Sequence, residues 1–357
     1  MRIVDGVLKE YAWGRIDGLT PWIRPTGGPQ AELWFGAHPS GASPIVGEDS
    51  RTLGDVAALH DLPMVKILAA ALPLSIQIHP DAAQAEAGFA AQQVDPHSPP
   101  LFADAAEKTE MLIALTDFDT YAGWRDPQEA AAVLAQAGAP IALVRTVEHG
   151  TRAEAVQALL HLDDVTREGI LAQLTSALIA QRWSPDAITA LSAVLTAFPG
   201  DPGGLITVLL QHHRLSPGQG LAVPAGVVHS YVRGLAVEVM TSSDNVLRLG
   251  LTSKRIAVDE AVRAIRTDRA PILLDEPGQT GNAHLPFAVT MITGPDRIEA
   301  PAGAMRTVVN LDAAVVIDDV EVPPGRAAVW ESDEPDAVID VRDGRAVLVR
   351  SSRVLSP

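Results

Sequence analysis

The spacing of hydrophobic positions changes more than once along the 357 residues, and each change marks a division of the chain. In the first 120 residues, short apolar runs such as Met64 to Ala71 and Met111 to Leu115 stand between Pro- and Gly-rich connections. Runs this short predict strands and loops rather than helices. From Asp126 the period becomes helical. Asp126, Pro127 and Glu129 supply an N-cap, a first-turn proline and an acidic third position, and Thr151 with Glu154 repeats the capping-box spacing. Ile170, Leu171, Leu174, Leu178 and Ile179 share one helical face, and Ser184-Pro185 opens a further helix carrying Ile188, Leu191, Leu195 and Phe198. After the breaker run Pro199 to Gly204, strand-like segments return at Leu205 to Leu210, Leu221 to Val223 and Ala236 to Met240. A short helical stretch past about residue 260 precedes Ala314 to Ile317, Ala327 to Trp330 and Ala346 to Val349, separated by Gly, Pro and Asp turns. The expectation is a mainly β protein with a helical insert: a discontinuous β-domain over 1–125 and 200–260, an α-helical insert over 126–199, and a second, smaller β-domain over 261–357.

Composition narrows the chemistry. There is no cysteine, which removes disulfides, thiolate nucleophiles and Cys-ligated zinc and leaves His, Asp, Glu and Gln to hold any metal. Forty-four acids against 27 bases give a net charge of -17, which disfavours nucleic acid or an anionic membrane surface as the partner, so an anionic ligand needs a local basic pocket. Met1 to Gly14 carries no apolar signal-like core, and no window reaches the roughly 18 apolar residues of a spanning helix. The expectation is a soluble cytoplasmic protein; the sequence allows a monomer and leaves the oligomeric state open.

Three segments carry candidate ligands. Gly218 to His229 has the spacing Gly, five residues, Pro224-x-Gly226, two residues, His229; a strand ending in Pro-x-Gly turns tightly and throws the next strand's imidazole toward a barrel mouth. This stretch resembles the second sequence motif of the cupin barrels, departing from it at Arg233, where many cupins have Asn. Upstream, Gln77 and His79 are two apart and in a strand project from the same face. Lys108-Thr109-Glu110-Met111 offers a carboxylate as a fourth donor, and such nitrogen and oxygen ligands suit zinc, manganese or iron. Each residue alone also has a plainer explanation: a hydrogen-bonded barrel histidine for His229, a rim amide for Gln77, a solvated strand residue for Glu110. His38, in Ala-His-Pro-Ser, reads as a loop-ordering residue, and the adjacent pair His212-His213 points to opposite strand faces. His284 is the last histidine, so a second barrel beyond it has no imidazole for a metal and reads as structural.

Together these residues resemble the type I mannose-6-phosphate isomerases, zinc-dependent aldose-ketose isomerases of the cupin superfamily. The likeness rests on Tyr11-Ala12-Trp13-Gly14, Ala31 to Pro39, Leu62-Pro63 through Lys66, Leu74 to Asp81, Lys108 to Met111, Pro224 to Tyr231, and Val237 through Ser243-Asp244-Asn245-Val246-Leu247-Arg248 to Lys254. It implies a cupin-like jelly-roll catalytic domain, an α-helical domain and a second, smaller C-terminal jelly roll. It also implies one Zn2+ per chain held by Gln77, His79, Glu110 and His229. Two positions depart from the family pattern: Thr109 stands where Pro is usual, and Glu107 where a His commonly precedes the Lys.

The implied reaction interconverts mannose 6-phosphate and fructose 6-phosphate through an enediol. Such chemistry needs a base over carbon, an electrophile for the developing oxyanion and a grip on the remote phosphate. Arg248 and Lys108 are expected to supply positive charge near the enediolate, with Glu238 or Asp244 as the base. Ser75 and Lys254 are expected at the phosphate, Lys66 is a weaker phosphate candidate that could instead snorkel from a core strand, and Trp13 is a platform beside the sugar. For Asp244 an Asx-turn cap is an equal reading, and for Arg248 an ion pair with Asp244 or Glu238 is the alternative. Two rival functions stand beside the isomerase: an iron-dependent cupin dioxygenase, which would favour a His-rich shell, and a non-catalytic sugar-phosphate sensor, which has no need of a base beside a metal.

Overall fold

The computed structural model of the chain describes residues 1–94, 100–275, 285–312 and 314–352. The strand His229–Met240, twelve residues long, organises the catalytic half. Its second half, from Gly234, pairs with Met64–Ala70 on one side and Glu110–Ala114 on the other. Its first half pairs instead with Phe118–Trp124 and, at His229, with Ile76–Ile78. The change of partners falls at Gly234, whose φ of 142° suits glycine and where a Cβ would stand 2.4 Å from the Phe118 ring. The long strand thereby belongs to two sheets, and these face each other across Leu68, Leu112, Phe118, Leu221 and Ala236. This is the cupin-like architecture expected, built around one apolar interior.

Alternation decides what enters that interior. In Glu110–Ala114, Met111 and Ile113 face outward into a second apolar layer, so Leu112, Ala114 and also Glu110 face inward. The same count turns Lys66 inward beside Leu68, and Glu238 inward beside Ala236. On Glu32–Phe35, Leu33 and Phe35 face out, leaving Glu32 and Trp34 inside. The inner face of the larger sheet is therefore apolar at one end and charged at the other. That charged end forms the site.

The helical insert leaves and re-enters between two strands that pair directly, Phe118–Trp124 and Leu210–Leu215. Its helices are Pro127–Gln136, Ile141–His149, Arg152–Leu160, Asp164–Ala180 and Pro185–Ala197. Asp126, Thr151 and Ser184 cap three of them through their side chains, as their spacing predicts. The insert packs on Ile76, Ile78, Val228 and Leu247, the outer face of the smaller sheet. Two sequence expectations fail here. Leu205 to Leu210 is not a strand: Gly203–Ile206 is helical, Thr207–Leu209 is a 3-10 turn, and a strand begins only at Leu210. The segment is buried on every side, so its apolar run carries no period, and the Asp201 side chain accepting the Gly203 N–H starts a turn. The helix Ala82–Val94 lies within the stretch expected to be strands and loops; its alanine and glutamine content favours a helix although few of its residues are buried.

Beyond it, Arg326–Trp330, Arg306–Asn310, Arg345–Ser351 and Phe287–Thr293 form a sheet that stacks on a four-stranded one across Val308, Ile317, Trp330, Ile339 and Leu348. The other face of the first of these sheets, through Val309, Val329, Val347 and Val349, covers the outward residues of the catalytic sheet. Two strands cross the boundaries expected at 1 and 261. Arg2–Asp5 pairs with Arg326–Trp330, and Ile272–Leu274 pairs with Gly220–Val223 in the catalytic sheet. Among the described residues no helix is long and apolar enough to cross a membrane. His284 lies outside the described residues.

Candidate functional site

His79, Glu110 and His229 come from three strand ends and meet in the interior, all nearly inaccessible to solvent. The turn through Pro224-Ala225-Gly226 draws them together: the Gly226 N–H donates to the His79 carbonyl at 2.8 Å, in a backbone with φ of 85° that favours glycine. Glu110 stands between the two imidazoles, with Oε2 3.1 Å from His79 Nε2 and Oε1 2.9 Å from His229 Nε2. Their potential ligand atoms all lie within 4.8 Å of one another.

The opposite edge of each ring is already committed. His79 Nδ1 lies 2.7 Å from the Asn245 carbonyl and His229 Nδ1 3.1 Å from the Val227 carbonyl. A carbonyl only accepts, so each Nδ1 carries the proton and each Nε2 turns a lone pair toward Glu110. His79 Nε2 is buried without a hydrogen-bond partner despite its closeness to the carboxylate. Lone pairs that face one another in a dry interior are unfavourable until a cation lies between them. Burial, with the Lys108 ammonium added, pushes His79 down to about 3, so the ring stays neutral, the form that ligates metal. Burial works to raise Glu110, but the neighbouring charge, the Lys108 ammonium first of all, outweighs it and holds the carboxyl well below its ordinary value. The donor set therefore fits a divalent ion of the zinc type.

A cavity of about 570 Å³ opens beside this cluster. Gln77, Glu110, Lys108, Glu238, Asp244, Arg248, Ser75, Lys254 and Trp13 all line it, so the structure brings the residues singled out from the sequence to one place; His79 and His229 are buried behind its wall. Gln77 lies between His229 and Arg248 in strand register and donates from Nε2 to Ser75 Oγ at 3.2 Å, an orientation that keeps Oε1 as an acceptor. Arg248 makes no ion pair with Asp244 or Glu238 among the described residues; its guanidinium is half-buried and donates to the Val246 carbonyl at 3.4 Å. Beside Asp244 it is the neighbouring residue that ties the segment: the Asn245 side chain accepts from the Ala103 N–H and donates to the Asp104 and Ala106 carbonyls. Trp13 stacks on Tyr11, with ring centroids 5.8 Å apart, at the cavity rim.

Three functional residues escaped the sequence reading or were underrated. Lys66 does not snorkel outward; it points into the cavity wall, 2.9 Å from Glu238 and 3.9 Å from Glu32. Burial disfavours its charge, but the two carboxylates outweigh that and raise its pKa. Burial likewise raises Glu238 above the ordinary carboxylate range, against the pull of Lys66. Tyr231 donates its hydroxyl to Glu110 Oε1 at 2.7 Å, and its place two residues after His229 on one strand was the available signal. Asn245 is the last, holding His79 through its carbonyl.

Of the two departures from the family pattern, Thr109 uses its own N–H to bond Thr241 Oγ1, and its hydroxyl accepts from the Ala225 N–H at 3.4 Å. Glu107 does not line the cavity; its carbonyl accepts the Thr241 hydroxyl. His38 accepts from the Ser40 N–H and orders its loop, while His212 and His213 bond Asp119 and the Ala122 carbonyl.

Comparison with known proteins agrees with this geometry. Residues 1–127 match the family described as phosphomannose isomerase type I, catalytic domain. The mannose-6-phosphate isomerase of Shigella flexneri is 32% identical over 93% of this chain and 91% of its own length. That of Rattus norvegicus is 30% identical over 71% of this chain and 70% of its own length. A crystal structure of mannose 6-phosphate isomerase bound with zinc and yttrium superposes with a TM-score of 0.85 at 26% identity, covering 99% of this chain and 100% of that one. The Salmonella typhimurium enzyme bound to fructose 6-phosphate and zinc gives a TM-score of 0.85 at 25% identity, with the same coverage. The lone pairs converging beside a charged cavity, the fold around them and the matched length together show that this chain belongs to the type I mannose-6-phosphate isomerase family.

Proposed function

We propose that this chain interconverts mannose 6-phosphate and fructose 6-phosphate in the cytoplasm, at a single zinc held by Gln77, His79, Glu110 and His229. The observation that carries the reading is the pair of Nε2 lone pairs fixed on either side of the Glu110 carboxylate. When bound, the ion supplies a Lewis acid that polarises the sugar's O1 and O2. Four carboxylates line the cavity (Glu32, Glu110, Glu238, Asp244) against four cations (Lys66, Lys108, Arg248, Lys254), so a divalent ion gives it the net positive charge an anionic sugar requires.

The remaining steps belong to the chain's own side chains. Lys254 and Ser75 hold the phosphate at one end of the cavity, and Trp13 covers the sugar. Lys108 and Arg248 face the carbons where negative charge develops and stabilise the enediolate. Glu238, with its raised pKa, or Asp244 moves the proton between C1 and C2. Lys66, buried with Glu32 and Glu238, fixes the orientation of that wall and leaves the phosphate to Lys254. The division of labour follows the sheets: we assign catalysis to the β-domain of 1–125 and 200–260 with the exchanged strands noted above, and a covering and supporting role to the insert 126–199 and the unit 261–357.

A coupled assay for fructose 6-phosphate formation from mannose 6-phosphate, before and after chelation, tests the reading. Activity lost on chelation and restored by zinc is the expected result; full turnover by metal-free protein would overturn it. Replacing the metal by iron without gain of oxygen consumption separates the isomerase from a dioxygenase.

A further inference from the structure

A second polar cleft lies one strand away from the metal centre. The strand Phe118–Trp124 has His229–Met240 on one side and Leu210–Leu215 on the other. Where that outer strand pair meets the helical insert, a cavity of about 360 Å³ is lined by Arg125, Glu129, Arg182, Trp183, Gln211 and His212. None of these residues takes part in the chemistry proposed above.

Arg125 closes the inner end and is only 8% exposed. Its guanidinium carbon lies 3.7 Å from the centroid of the Trp183 ring, and its Nε is buried without a hydrogen-bond partner. Its carboxylate partner, Glu129, is 3.1 Å away but 60% exposed on its side chain, so the pairing is screened and weak. A buried guanidinium with a spare donor and one solvated counter-charge is under-compensated.

Arg182 stands at the mouth. It follows the helix Asp164–Ala180 with φ of 58°, in the position where helices favour glycine, and a longer side chain there costs about 1 kcal/mol or more. A helix stop alone needs no guanidinium at that point. In a chain of net charge -17, two guanidiniums against a single lining carboxylate, beside an indole, make a local anion trap. Planar forks of N–H donors match the oxygens of a phosphate group, and a dianion answers two guanidiniums better than a monocarboxylate does.

We propose that this cleft is a second ligand site, for a compact phosphate monoester or free phosphate, distinct from the catalytic cavity. Titration calorimetry of the zinc-loaded protein with inorganic phosphate tests it, using R182G, R182N and, for the catalytic cavity, K254A. The wild type is expected to show two binding events. R182G and R182N relieve the left-handed backbone, keep the melting temperature at or above that of the wild type, and weaken one event about tenfold while basal turnover is unchanged. K254A weakens the other event, so a failure of the catalytic assignment is seen separately. Phosphate binding by R182G and R182N indistinguishable from wild type would overturn the proposal, as would displacement of phosphate from the R182G-sensitive event by an equal concentration of acetate. A parallel titration with fructose 6-phosphate tells a sugar phosphate, which binds that event more tightly than inorganic phosphate, from free phosphate, which does not; both results keep the assignment to a phosphate group.

Discussion

The two stacked-sheet interiors of this molecule share a layer, since Val65, Ile67 and Met111 of one unit pack against Val309, Val329 and Val347 of the other. Each interior also buries positive charge, and the two treat it differently. In the C-terminal unit, Arg306 is fully buried against Trp330 and donates to the carbonyls of Ala300, Pro335 and Glu334 at 2.6 to 2.9 Å. Those acceptors are fixed backbone, so the guanidinium ties two loops together. In the catalytic unit, Lys66 and Lys108 face the carboxylates of Glu238, Glu32 and Glu110, and Glu110 in turn faces two imidazole nitrogens. Buried polar groups satisfied by backbone hold a fold together. Those aimed at one another around a cavity hold a ligand, and the same sheet architecture serves both ends.

That contrast can be broken at its strongest point first. His229→Ala removes one lone pair from the cluster and is expected to lower kcat/KM by about a thousandfold or more, because Lewis-acid polarisation is worth several kcal/mol. Metal content measured after dialysis should fall in parallel, with the thermal transition preserved. Arg306→Met is the mirror experiment: three carbonyls lose their donor, and chemical denaturation should show a loss of about 3 kcal/mol. Its kcat/KM at a temperature where the variant is folded should match the wild type. Asn245→Ala sharpens the comparison within the catalytic unit. The His79 carbonyl contact is kept in kind but its loop is untied, so zinc affinity measured by chelator competition should drop about 10–100-fold.

The smallest effect lies on the smaller sheet of the catalytic unit. Burial works to raise Asp119, but the His212 hydrogen bond with Arg214 and Arg233 outweighs it and holds the carboxyl below its ordinary value. A depressed folded-state pKa contributes stability that is present above the unfolded value and is lost as pH falls through the folded one. The wild type should therefore lose more stability than Asp119→Asn between about pH 5 and about pH 3, read from denaturant midpoints.

Much of this could be read from the chain because the signals are local. The caps at Asp126, Thr151 and Ser184 act within three residues of themselves, and the two-residue spacing of Gln77 and His79 is a property of any strand. The segments bearing Glu110 and His229 were legible through their likeness to a known family and meet as that likeness implies. What could not be read depends on partners distant in sequence. Lys66 sits in an otherwise apolar strand, and only the register opposite Glu238 shows that its charge is answered inside. Leu205 to Leu210 has no polar face to betray its period. The division of the sheets was invisible for the same reason, since nothing within Arg2–Asp5 names Arg326–Trp330 as its neighbour.

That pairing has a bearing on how the protein is made. Arg2–Asp5 leaves the ribosome more than three hundred residues before Arg326–Trp330 exists to receive it, and the Met1 amine and Arg2 guanidinium then close on Glu334 and Glu331. The catalytic sheet can assemble earlier, but its outward face has no cover until the last strands arrive. The outward face of the catalytic sheet thus stays bare until those later strands form, and the pairing of Arg2–Asp5 closes the longest loop the fold has to close.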